Sequence, residues 1–121
     1  MKSDSESILY TIKKMLGLDP DYDPFDLEVM VDINAAFTML RQLGVGPRRG
    51  FKITGDEEKW DDFLEDDTLV EMAKQFIYFR VKMVFEAASL QQSVIKALQE
   101  QADDLAWRMV VMAEGEYDHE Q

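Results

Sequence analysis

Residues 68–85, TLVEMAKQFIYFRVKMVF, constrain the fold more than any other stretch of this chain. Drawn on a helical wheel, Leu69, Val70, Met72, Ala73, Phe76, Ile77, Phe79, Val81, Met83 and Val84 cover more than half of the circumference. A surface helix shows one apolar stripe; a helix apolar on most sides must be covered on most sides. The segment therefore predicts a central helix with other elements packed around it. Arg80 lies inside the apolar arc, where a guanidinium needs either a carboxylate or carbonyl partner, in the fold or on a neighbouring subunit, or a route to water at the helix edge.

The flanking segments read as the covering elements. Ser7 to Leu16 predicts a first helix, with Ser5 or Ser7 as its cap, Gly17 as its stop, and Ile8, Ile12, Met15 and Leu16 on one face. Lys13 and Lys14 are expected to point away from that face. The stretch DPDYDP, residues 19–24, spaces its aspartates like the start of a calcium loop. The match fails at the sixth position, Pro24 instead of Gly, and at the twelfth, Met30 instead of Glu. A turn that ends with Asp23 as cap and Pro24 as first residue of a second helix accounts for it better. That helix is expected to reach Leu43 and stop at Gly44. Its stripe is Val29, Met30, Ile33, Ala36, Phe37, Leu40 and Leu43, with Leu27, Val31 and Met39 outside it.

Next comes LGVGPRRGFKITGDEEKW, residues 43–60, a Gly-rich loop that runs into acids. Phe51 to Thr54 alternates apolar and polar, which permits a short β segment. Glu57 to Leu64 predicts a short helix, with Trp60, Phe63 and Leu64 facing protein and the acids facing water. Asp66 or Asp67 can cap the central helix. Ser89 and Gln92 have the spacing of a capping box, and the helix they open is expected to end near Met112. Its core stripe is Leu90, Val94, Leu98, Ala102, Leu105, Met109 and Met112. Trp107, Val110 and Val111 fall on the other side, where they meet either a partner or a loop or tail of the same chain. Residues 113–121 are read as a disordered acidic tail. The whole, residues 1–121, reads as one all-α domain, a small bundle of about four to five helices with one extended loop between the second and third.

Chemistry is sparse in this chain. It has no cysteine, and its one histidine, His119, lies in the tail. That leaves no thiolate, no His-activated nucleophile and no His or Cys metal site. No carboxylate pair stands on an apolar face, and GVGPRRG lacks the lysine and serine or threonine of a phosphate loop. No catalytic residue, cofactor or metal is expected. With 25 acids against 13 bases the net charge is −12, which disfavours a grip on nucleic acid or on anionic membrane. Met1 to Ser7 lacks the features of a signal peptide, and no apolar run approaches a bilayer's thickness. A soluble, intracellular interaction protein is the expectation.

The order of ILYTIKKMLGL, FDLEVMVDINAAFTMLRQLGVGP, GFKITGDEEKWDDFL, VEMAKQFIYFRVKMVFEAA and VIKALQEQADDLAWRM resembles the head–tail connector, or adaptor, proteins of tailed bacteriophages and prophages. The resemblance spans about Ile8 to Met109. It implies a small helical bundle, many copies of which form a ring beneath the portal protein of the head. The ring extends the DNA channel and docks the next neck component, a stopper or tail-completion protein, with no catalysis and no cofactor. DNA would pass without sequence-specific binding, and the protein would reside at the virion head–tail junction after a stay in the host cytoplasm. On this reading Gly46, Pro47, Arg48, Arg49, Gly50, Phe51, Lys52, Ile53 and Thr54 form the candidate docking loop, able to reshape or to add as a strand to a partner. Met39, Arg80, Trp107, Val110 and Val111 form the candidate subunit interface. The rival expectation is an acidic helical interaction protein that mimics DNA or inhibits a host enzyme.

Overall fold

Ser7 starts the first helix: its hydroxyl accepts a hydrogen bond from the Tyr10 amide at 3.2 Å, and α1 runs Ile8–Met15. This computed structural model describes residues 6–119, with side chains as far as Glu114. The remaining elements are α2 (Asp26–Gln42), α3 (Trp60–Phe63), α4 (Asp67–Phe85) and α5 (Gln92–His119), with a single 3-10 turn at Ala87–Ser89 between the last two. Among the described residues there is no strand, so Phe51 to Thr54 does not form the short β segment that its alternation permits. An isolated bridge between Ser7 and Lys59 is the one extended pairing among the described residues.

α4 occupies the centre. Leu69, Val70, Ala73, Phe76, Ile77 and Val81 are buried, and α1, α2 and α5 all pack against the helix. Asp66 caps it by accepting from the Leu69 amide at 2.9 Å. α2 contributes Val29, Ile33, Ala36, Phe37 and Leu40 to the core, and α5 contributes Leu98, Ala102 and Met109. Of the expected stripes, Leu43 and Val94 instead stay exposed at the margins.

Four local expectations are corrected. α2 begins at Asp26 after Phe25, and the Asp23 side chain does not cap it; instead the Asp23 carbonyl accepts from the Asp26 amide in a turn. Ser89 lies in the 3-10 turn and its hydroxyl bonds back to the Glu86 carbonyl, so the box with Gln92 does not form and α5 starts three residues later. α5 also continues past Met112. Lys13 is fully buried where solvent was expected. Its ammonium donates to the Pro20 carbonyl at 2.8 Å and lies 2.6 Å from the Asp26 carboxylate, so it fastens the DPDYDP turn to the start of α2. Of the expected tail, residues 120 and 121 and the side chains of 115–119 lie outside the described residues.

Candidate docking surface

The loop between α2 and α3 is knit to the bundle at several points. Val45 and Ile53 are buried. Both backbone groups of Ile53 are taken by Asn34 of α2: the Asn34 amide donates to the Ile53 carbonyl at 2.9 Å, and the Ile53 N–H donates to Asn34 Oδ1 at 2.8 Å. Strand addition through Ile53 would break both bonds. Phe51 joins Phe37 and Phe63 in an aromatic triangle with centroid separations of 5.1, 4.8 and 5.5 Å, in the tilted and edge arrangements that rings prefer. Gly46 sits on this triangle with φ +97; a Cβ there would lie 2.5 Å from Phe63 Cε1. Glycine is what lets the backbone pass.

Further along, the Thr54 amide and hydroxyl both donate to the Glu58 carboxylate at 2.9 and 2.8 Å. Burial raises the Glu58 pKa, but these donors outweigh it and hold it below its ordinary value. At the far end Trp60 is anchored by its indole N–H, which donates to the Thr11 hydroxyl at 3.0 Å. These contacts hold the loop against the bundle. What it shows to water is a cationic tip: Pro47, Arg48, Arg49 and Lys52 are exposed, with Thr54 beside them.

Arg41, at the end of α2, belongs to the same surface and was missed in the sequence. Its Nε donates to the Arg48 carbonyl at 3.0 Å. Gly50, at φ +84, would bring a Cβ within 2.9 Å of Arg41 Cδ, so this glycine makes room for the arginine. The only sequence signal was the spacing of Arg41 from a glycine nine residues later, which nothing marks as a pair. Arg41 forms a wall between two open clefts. The larger, about 930 Å³, lies between the loop and α5, with Leu43, Pro47 and Val110 beside Arg41, Arg48 and Glu114. The smaller, about 360 Å³, is lined by Phe37, Phe51, Arg49 and Lys52.

The interface candidates do not form one patch. Val110 lines the larger cleft together with the loop residues Gly46, Pro47 and Arg48. Trp107 and Val111 stand on the outer side of α5, 66% and 45% exposed. Met39 is half-buried against the core. Arg80 is half-buried and has neither a hydrogen bond nor an ion pair among the described residues. Leu27 and Val31, one turn apart on α2, add a second exposed apolar pair. Among the described residues no cluster of acids or histidine could hold a metal ion, and no helix is long and apolar enough to cross a membrane.

Comparison with known families finds one described as phage connector protein, whose model matches residues 8–116. No curated protein and no solved structure matches the chain.

Proposed function

The chain belongs to the phage connector protein family, and from that premise we propose that it is a head–tail connector subunit of the virion neck. The family is structural, so the role is mechanical and not enzymatic. Many copies assemble into a ring beneath the portal protein, lengthen the DNA channel and offer a seat to the stopper or tail-completion protein. The loop Gly46–Thr54, through its Arg48 and Arg49 tip, is the docking element. Met39, Arg80, Trp107, Val110 and Val111 supply contact between subunits.

The observation that carries this reading is the apolar area left in water on α5: Trp107 is two-thirds exposed with Val111 one turn on. Tryptophan is enriched where proteins meet, and its exposure on a rigid helix has no use inside the fold. The half-buried, unpartnered Arg80 supports the same view, because such a cation gains from a carboxylate brought by another subunit. The net charge of −12 suits a channel wall past which DNA must slide without sticking.

The test is head–tail joining in extracts. Phage particles made without this chain should accumulate as DNA-filled heads and separate finished tails, and adding the purified protein should restore joined, infectious particles. Joining that proceeds without the protein would refute the proposal.

A further inference from the structure

The five ion pairs among the described residues use Lys13, Lys14, Lys74, Lys82 and Arg108. Arg41, Arg48, Arg49 and Lys52 take part in none of them. Lys59, Arg80 and Lys96 have no ion pair among the described residues either, but Arg41, Arg48, Arg49 and Lys52 gather along two adjoining clefts, with Arg41 lining both, and form a surface open to an anion. Arg41 is held in place by the Arg48 carbonyl through Nε alone. Its two terminal nitrogens, the pair that grips a carboxylate from both sides, remain available. Glu114 is the one acid on the rim of the larger cleft and forms no ion pair there. The floor supplied by Leu43, Pro47 and Val110 is apolar, so the fitting occupant carries both carboxylates and a large apolar side chain. A nucleic-acid backbone has the charge without the apolar anchor.

The same chain displays such an occupant. Glu100, Asp103, Trp107 and Val111 fall at i, i+3, i+7 and i+11 along α5, which places them in one row on one helix face. All four are exposed. Asp104 is spent on Arg108 at 2.8 Å, whereas Glu100 and Asp103 have no ion pair among the described residues. We propose that this row on one copy seats in the Arg41–Arg48 cleft of the next. The Trp107 indole covers Leu43, Pro47 and Val110, while Asp103 and Glu100 meet the guanidinium groups of Arg41, Arg48 and Arg49. Arginine also stacks favourably on the indole face. Row and cleft are different patches, and a copy that offers its row to one neighbour and its cleft to another makes a head-to-tail contact. Such contacts close into a ring when the rotation between copies divides the circle. The inference rests on the connector reading for its biological setting and names the surfaces by which copies join.

Because the chain has no cysteine, engineered thiols report the contact cleanly. One chain carries Asp103→Cys and another carries Pro47→Cys, both at exposed positions. Each is oxidised alone and after mixing, in free solution at high concentration and again on portal rings of the same phage. A disulfide-linked dimer in the mixture, with neither chain linking to itself, is the expected result in at least one setting. Adding Arg41→Glu and Arg48→Glu to the Pro47→Cys chain should lower linkage at least about tenfold, with unchanged circular dichroism. Linkage of the Asp103→Cys chain to itself would show a two-fold contact through α5 and overturn the proposal. Indifference to the arginine reversals would do the same. So would a subunit layer on portal rings that never links, although that outcome leaves the connector reading standing. Linkage in solution with no layer on the portal fails the connector reading and leaves the head-to-tail contact intact.

Discussion

Replacing Gly46 by alanine tests how tightly the loop that follows α2 is packed against the aromatic triangle. Two costs add at this position. A non-glycine residue in the left-handed region loses about 1–2 kcal/mol. The new Cβ would also stand 2.5 Å from Phe63 Cε1, whereas carbon atoms rest at about 3.5 Å or more. The ring must therefore move by roughly 1 Å, and it is hemmed in by Phe37 at 4.8 Å and Phe51 at 5.5 Å. Overpacking of that kind costs about 1–3 kcal/mol. Gly44 supplies the control: its φ is +81, but a Cβ there meets nothing within 4 Å. Gly44→Ala bears the backbone cost alone, softened by the stiffer unfolded chain. Urea unfolding followed by circular dichroism should place Gly46→Ala below Gly44→Ala by about 1–3 kcal/mol, at equal slope. Adding Phe63→Leu to Gly46→Ala should cost at least about 1 kcal/mol less than the two single changes summed, since the smaller side chain vacates the contact. Equal stability of the two alanine variants, to within about 0.5 kcal/mol, together with additivity of Phe63→Leu, would refute the reasoning.

Trp107→Ala removes a side chain that the monomer hardly uses, so its urea midpoint should shift by less than about 0.5 kcal/mol in stability while head–tail joining in extracts falls sharply. Lys13→Met keeps the volume but strips the partner from the Asp26 carboxylate and the Pro20 carbonyl; because Asp26 is partly solvated, a loss of about 1–3 kcal/mol is expected by urea unfolding. Glu58 has a folded-state pKa below its unfolded value, so its contribution is complete above the unfolded pKa and fades as pH drops through the folded one. Urea midpoints should therefore fall below about pH 4.5, and less steeply in Glu58→Gln than in the parent chain.

Much of the scaffold was legible because its signals are local or periodic. The all-round apolar character of 68–85 predicted a central helix, and α4 is one. The caps were legible as pairs of candidates, Ser5 or Ser7 and Asp66 or Asp67, of which Ser7 and Asp66 serve. The misreadings have two causes: at Lys13 and at Phe51 to Thr54 a tertiary partner overrode a local rule, and at Asp23 and Ser89 one local motif displaced another. Lys13 carries a charge that periodicity assigns to solvent, yet a carbonyl seven residues on and a carboxylate on another helix made burial the better state. Asp23 and Ser89 have the right residue types for caps, but each was drawn into a neighbouring turn. Phe51 to Thr54 alternates like a strand, but Asn34 claims the backbone groups that a second strand would need. On the candidate surface, Arg48 and Arg49 stood out as a charged pair beside glycines. Arg41 did not, because its role depends on Gly50 leaving room across the fold, a relation that no spacing rule encodes.

Cryo-electron microscopy of the purified chain mixed with portal rings from the same phage tests the central claim most directly. The account predicts an added layer of subunits continuous with the portal channel, formed by the parent chain and absent with Trp107→Ala. Portal rings that stay bare in the presence of folded, concentrated protein would contradict it.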